Sequence, residues 1–73
     1  MSRNFNIIIE KENNMYVSFC PELDIASQGY SIEEARLNLK EAIELFFETA
    51  SEAEIMRRSS DETYITNLEV EIG

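Results

Sequence analysis

The side chains with which this sequence could perform chemistry are one cysteine and fifteen acidic residues; it contains no histidine. Cys20 stands directly before Pro21 in a strand-like pattern with no base beside it, which favours a structural thiol over a nucleophile. The serines lack the context of a hydrolase nucleophile, and Gly29 and Gly73 do not form a phosphate-binding loop. Without histidine, the commonest general base and metal ligand is missing. We therefore expect no catalytic residues and no enzymatic activity.

The carboxylates are the remaining candidates for a metal site. A two-metal nuclease centre needs several acids that converge from strands and a helix. Here Glu10 alternates with the apolar residues of a strand, and Asp24 and Asp61 stand in loops. Most other acids fall on one helix face or at strand ends. This distribution favours a solvated or partner-facing acidic surface, so we expect no metal or other cofactor, and a metal-dependent nuclease is the least favoured function.

The charge balance restricts the class of partner. Fifteen acids against six bases give a net charge of −9, whereas nucleic-acid binding by counterion release needs clustered Lys and Arg. A basic protein partner fits this charge better. A single cysteine forms no internal disulfide, and residues 1–6 lack the apolar core of a signal peptide. We expect a cytoplasmic protein with no direct contact to nucleic acid or membrane.

The length of 73 residues predicts one domain, residues 1–73. Area scaling gives roughly 4,700 Å² of accessible surface for a compact folded chain of this mass. For so short a chain, the hydrophobic gain and the conformational entropy cost nearly cancel. We therefore expect a homodimer or a higher oligomer.

Residues 5–20 show the period-two alternation of a β-hairpin. A two-residue loop at Asn13 and Asn14 would place Glu10 opposite Val17. A three-residue loop shifts the pairing by one residue and gives one continuous apolar face, so we predict the three-residue loop. The resulting register pairs Lys11 with Met15, Ile9 with Val17, and Ile7 with Phe19.

Helix signals follow a short third strand, 25–28, which begins after Pro21 has ended the second strand. Ser31 and Glu34 form a capping box, and an apolar stripe predicts an amphipathic helix from 32 to about 50. A second capping box begins at Ser51, which predicts a break there and a short helix at about 52–58. The stripe contains Ile32, Ala35, Leu39, Ala42, Ile43, Phe46 and Ala50.

A polar loop is predicted from Ser59 to Glu62, and alternation of Leu68, Val70 and Ile72 with polar residues predicts a last strand. The predicted order is β-β-β-α-β, in the α+β class. A mostly antiparallel sheet would carry one main amphipathic helix on one face.

Leu37 and Leu45 depart from the apolar stripe and fall on the glutamate-rich side of the predicted helix. Scattered exposed leucines are common on protein surfaces. The alternative is a surface for self-association or for a partner, and these two residues are our candidates for self-association.

From Phe5 to about Leu45 the sequence resembles the HicB family. The resemblance begins with IIEKENN and continues with YVSFCPELD, where family members carry a strand followed by Pro-acid-Leu. Ser27-Gln28-Gly29, the capping box from Ser31 to Ala35, and the helix from Asn38 to Leu45 follow in the same order and spacing. The combination is more specific than any of its parts.

The resemblance implies a partial RNase H-like fold without the catalytic acids, and the role of an antitoxin in a prokaryotic type II toxin–antitoxin pair. The partner implied is a HicA-type toxin, a small basic protein that cleaves mRNA and that the antitoxin occludes. The sequence departs from the family by carrying Asp24-Ile25-Ala26 where Pro-Gly-Cys is usual. No match to the family's usual C-terminal DNA-binding domain is found, so we expect no specific DNA binding.

An acidic protein can cover the phosphate-binding surface of such a toxin. We predict Glu22 and Asp24, in the loop after the second strand, together with Glu10, as the toxin-binding residues. Glu41 and Glu44 on the helix are the competing cluster. The alternative function is an orphan HicB-like structural or regulatory binding module that has no toxin.

Overall fold

A three-stranded antiparallel sheet carries one long helix on one face. The computed structural model describes residues 2–58 and 62–73. The elements follow the order β-β-β-α, and the predicted α+β class is confirmed. The sheet has the strand order β1-β2-β3, so β1 is one of its two outer strands. The elements are β1 (Ile8–Glu12), β2 (Met15–Cys20), β3 (Ile25–Gly29), α1 (Ile32–Thr49) and α2 (Glu52–Arg58).

The predicted hairpin register is wrong by one residue. The loop has two residues, with Asn13 in the left-handed region at φ 55°. Glu10 therefore lies opposite Val17, and Ile8 opposite Phe19. These residues form the open sheet face, which we define as the face of the sheet that α1 does not cover. The apolar side chains of Val17 and Phe19 thus lie on the side opposite the one our prediction gave them.

Small side chains on the inner face explain this register. Ser18 is fully buried, and its hydroxyl donates a hydrogen bond of 2.8 Å to the carbonyl oxygen of Ala35 in α1. Gly29 is buried beside the same turn of the helix, where an added Cβ would lie 2.6 Å from the backbone nitrogen of Ala35. The sheet and helix approach this closely only because Ser18, Gly29 and Ala35 are small. A larger residue such as Val17 would not fit between them.

The core lies between the sheet and α1. Cys20, Leu23, Ala35 and Leu39 are buried almost completely. Half-buried side chains surround Cys20, Leu23 and Leu39, and we call this layer the second ring. In it, the phenyl groups of Phe5 and Phe47 are stacked with their centroids 6.0 Å apart. The buried position of Cys20 fits the predicted structural thiol. The second ring consists of Phe5, Ile7, Ile25, Ile43, Phe46 and Phe47.

Both helix starts occur where the capping boxes predict them. The N–H of Glu34 donates to the Ser31 hydroxyl at 3.0 Å, and the Glu34 carboxylate accepts from the N–H of Tyr30 at 2.9 Å. At the second start, the N–H of Glu54 donates to the Ser51 hydroxyl at 3.2 Å. The predicted break at Ser51 and the short helix are confirmed, because α1 ends at Thr49 and α2 spans Glu52–Arg58.

Residues 62–73 do not form the predicted last strand. They have no regular secondary structure, and nearly all of them are exposed. The apolar side chains of the alternating pattern are largely exposed to solvent, with exposed fractions of 87% for Leu68, 64% for Val70 and 95% for Ile72. Among residues 2–58 and 62–73, this segment pairs with no strand. The predicted polar loop falls largely on 59–61, outside the described residues.

Candidate protein-interaction surfaces

The thiol of Cys20 and the hydroxyl of Ser18 both lie in the core. Cys20 is completely buried, and the hydroxyl of Ser18 is bound to a helix carbonyl. Within residues 2–58 and 62–73, no group of three or more His, Cys, Asp or Glu side chains is arranged to hold a metal ion. No helix in these ranges has the length and apolar content needed to cross a bilayer.

The loop acids occupy two different environments. The side chain of Glu22 is only 17% exposed, and its carboxylate lies 3.3 Å from the Arg3 guanidinium. Asp24 is exposed in the left-handed region at φ 56°, and its backbone carbonyl accepts a hydrogen bond of 3.2 Å from Arg58. The carboxylate of Glu22 is thus held in an ion pair, whereas that of Asp24 forms no ion pair within the described residues.

Glu10 does not join the two loop acids. It lies on the open sheet face opposite Val17, in the part of the hairpin that leads to the Asn13 loop. From Val17 to the end of β2 at Cys20 there are three residues, or about 10 Å of strand, before the loop with Glu22 begins. The three predicted toxin-binding residues therefore do not form one cluster.

The outer face of α1 brings together exposed leucines and carboxylates. We define this outer face as the exposed leucines and glutamates of α1 that lie within about 80° of Glu41 around the helix axis. Leu37 and Leu45 stand one turn before and one turn after Glu41, and both are exposed. The residues of the outer face are Glu33, Glu34, Leu37, Glu41, Glu44, Leu45 and Glu48. Apolar and negatively charged side chains thus alternate along the exposed outer face of α1.

The carboxylates of this outer face differ in whether they form ion pairs. Glu44 pairs with Lys40 at 3.1 Å across one helical turn. Glu33, Glu41 and Glu48 form no ion pair within the part of the chain that the structure describes. The competing acid cluster predicted at Glu41 and Glu44 and the leucines predicted for self-association therefore occupy a single surface. That coincidence follows from the helical period, which also relates residues 37, 41 and 45 in the sequence.

Sequence reasoning missed a groove between the N-terminal segment and α1. Its volume is about 1020 Å³, and its apolar lining comes from Phe5, Ile7, Leu39, Ile43 and Phe47. It opens because α1 packs mainly over β3 and β2, and less over β1. The signal in the sequence was the alternation that turns Phe5 and Ile7 toward the helix side of the sheet. The helix does not cover these two side chains fully, so they line the groove.

Comparison with known proteins assigns this chain to a family. A UPF0150 protein of Helicobacter pylori is 41% identical over 66 residues, which cover 89% of this chain and 92% of that protein. The chain belongs to the UPF0150 family. A UPF0150 protein of Synechocystis sp. is 46% identical over 48 residues, covering 63% of this chain and 61% of that protein. No protein-family model matches the chain. Both UPF0150 relatives are bacterial, which fits the predicted prokaryotic origin.

Proposed function

We propose that this UPF0150 protein is a HicB-like antitoxin module that binds a small, basic, RNA-cleaving HicA-type toxin and occludes its RNA-binding surface. A toxin of this kind must present Lys and Arg to RNA phosphates, because phosphate contacts dominate RNA affinity. A surface of carboxylates can occupy the same positions without chemistry of its own. The net charge of −9 and the resemblance to HicB proteins support this proposal.

The observation that carries the proposal is the outer face of α1. Glu33 and Glu41 flank Leu37 by one turn on each side, and neither carboxylate is paired within the described residues. Unpaired surface carboxylates steer a basic protein toward the encounter, and exposed leucines supply the apolar contact that slows dissociation. We therefore place the main toxin contact on this outer face, with Leu37 and Leu45 serving the partner.

The loop acids are the competing surface. Toxin binding at Glu22 would require its carboxylate to leave Arg3, or to share it, which reduces the gain from a new contact. Asp24 carries no such restriction, and Glu10 stands apart on the open sheet face. The loop and the outer face of α1 are separate enough to be tested independently.

The experiment tests association with the product of the neighbouring gene, which this proposal requires to be a small basic protein, using matched pairs of neutral substitutions. The helix pair is Glu33→Gln with Glu41→Gln, and the loop pair is Glu22→Gln with Asp24→Asn. Asn is chosen at position 24 because it tolerates the left-handed backbone there. A control pair, Glu12→Gln with Glu62→Gln, changes the net charge equally at exposed sites elsewhere.

We expect the helix pair to lower the association rate on the order of fivefold, while the loop and control pairs change it much less. Association of the unsubstituted protein should slow by about tenfold or more between low and high salt. A dominant effect of the loop pair would return the contact to Glu22 and Asp24. Failure to bind any basic neighbour would favour the orphan HicB-like binding module. Salt-independent binding would contradict electrostatic mimicry itself.

A further inference from the structure

The C-terminal segment has the sequence pattern of a strand but forms none, and the groove between the N-terminal segment and α1 is open. We propose that two copies of this chain exchange their C-terminal segments, so that residues 66–72 of each copy dock as a strand in the groove between the N-terminal segment and α1 of the other. The groove is the docking surface, and its occupant is a second copy of this chain. The proposal does not depend on the identity of any toxin.

The exposed area of the single chain is the first argument. Its accessible surface is 6235 Å². A compact monomer of this mass would expose roughly 4,700 Å², so the chain exposes an excess of about 1,500 Å². The radius of gyration is 14.3 Å, whereas a compact domain of this length has about 11 Å. Burying the excess in two chains would remove about 3,000 Å², which falls within the range of obligate homodimers.

The pattern of residues 66–72 is the second argument. Leu68, Val70 and Ile72 alternate with Asn67, Glu69 and Glu71, and all three apolar side chains are largely exposed. Such alternation suits a strand with one face on an apolar surface and one face in solvent. The segment thus has the pattern of a strand and lacks a sheet.

The groove supplies what the segment lacks. β1 is an outer strand, and its free edge pairs with no strand in residues 2–58 or 62–73. Main-chain groups along such an edge are a template for an added strand. The five apolar residues already named lie on the N-terminal segment that leads into β1 and on α1. The groove volume of about 1020 Å³ is larger than most small-molecule pockets and suits a peptide segment.

Charge complementarity matches the two surfaces. Three of the six basic residues of this acidic chain line the groove: Arg3, Arg36 and Lys40. The polar side of the segment carries Glu69 and Glu71. Glu44 and Glu48 also line the groove. Lys40 is already paired with Glu44, and Arg3 with Glu22, whereas Arg36 forms no ion pair within the described residues. A docked segment would therefore lay its apolar side chains on Phe5, Ile7 and their neighbours and keep Glu69 and Glu71 on the solvent side, near the exposed Arg36.

Symmetry favours a second copy as the occupant. In the single chain, the segment is exposed and the groove is open at the same time. Reciprocal exchange satisfies both in one step, because each copy offers the same segment and the same groove about a two-fold axis. Docking of the segment in its own chain would leave a monomer and is the outcome that the test must separate.

Light scattering on the full chain tests the exchange. We expect about twice 8.5 kDa for the unsubstituted protein at micromolar concentration. Leu68→Glu with Val70→Glu should raise the dimer dissociation constant by about 100-fold or more, because charged groups replace the apolar contacts. These side chains are exposed in the single chain, so the substitutions leave its core intact. The control pair, Leu37→Glu with Leu45→Glu, should keep the dimer mass.

Cross-linking separates exchange from docking within one chain. Asn4 lines the groove and Glu69 lies on the polar side of the segment, so Asn4→Cys with Glu69→Cys places thiols on both partners. The native thiol of Cys20 is buried and should not react. A short bis-maleimide should produce a covalent dimer. An internally linked monomer, the absence of any link, or a dimer that survives Leu68→Glu with Val70→Glu would each overturn the proposal.

Discussion

Gly29→Ala tests the closest contact between the sheet and α1. A Cβ at this position would lie 2.6 Å from the nitrogen of Ala35, 2.8 Å from the carbonyl carbon of Glu34 and 2.9 Å from the Glu34 Cβ. Two of these three atoms belong to the helix backbone and cannot rotate away. Ordinary van der Waals contact begins near 3.4 Å. The helix would have to retreat by about 0.8 Å at this point.

The expected loss of unfolding free energy comes from the contacts that this shift of the helix would weaken. The hydrogen bond from Ser18 to the Ala35 carbonyl is 2.8 Å long. A retreat of the helix would stretch it to about 3.6 Å, beyond bonding distance. The loss of this bond costs about 1 kcal/mol, and the loosened packing costs about 1 kcal/mol or more. We therefore expect Gly29→Ala to lower the free energy of unfolding by about 2 kcal/mol, equivalent to a Tm decrease of roughly 8–16 °C.

The assay is urea unfolding followed by circular dichroism at one fixed protein concentration, because association also changes apparent stability. The sign of the change is decisive. In a strand with free space, Gly→Ala stabilises a protein by about 0.4–1 kcal/mol, since the unfolded chain loses conformational freedom. A neutral or stabilising Gly29→Ala would therefore refute the close approach of helix and sheet. Gln28→Ala, an exposed position on the same strand, is the control and should change stability little.

Other predictions concern the helix contacts and activity. Ser18→Ala should destabilise the protein by about 1 kcal/mol in the same unfolding assay, because a buried hydrogen bond to Ala35 is lost. Ser31→Ala, which removes the cap of α1, should cost about 1 kcal/mol. Ser51→Ala should reduce stability less, because α2 buries no residue; equal losses would contradict this ranking. Single- and double-stranded RNA should stay intact with the pure protein and Mg²⁺ or Mn²⁺; cleavage that copurifies with it would contradict the predicted absence of catalysis.

Local chemistry in the sequence was sufficient to predict the helices and the end of the second strand. Ser31 and Ser51 satisfy backbone N–H groups within three residues of themselves, so each helix start depends on neighbours in the chain. Pro21 lacks an N–H for a strand ladder, and β2 ends at Cys20. The exposed acids and leucines of α1 follow in the same way from the helical period.

The hairpin register required the tertiary structure. Counting apolar residues placed Val17 and Phe19 against the helix, but the space there admits only side chains as small as those of Ser18 and Gly29. Hydrophobicity does not measure that space, because it depends on how closely two elements separated in sequence approach each other. The pairing of Glu22 with Arg3, 19 residues away, is equally invisible in a local pattern.

Residue types and their local spacing were enough to predict the charge of −9, both helices, the end of β2 and the alternating pattern of the C-terminal segment. These properties depend on composition, or on bonds between residues a few positions apart. The packing of distant elements was needed to show which sheet face meets α1 and that Glu22 is paired and partly covered. It also showed that β1 pairs with only one strand among the described residues, and that an apolar groove lies between the N-terminal segment and α1. A strand pattern states that a segment can pair, whereas the partner is set by the packing of distant elements.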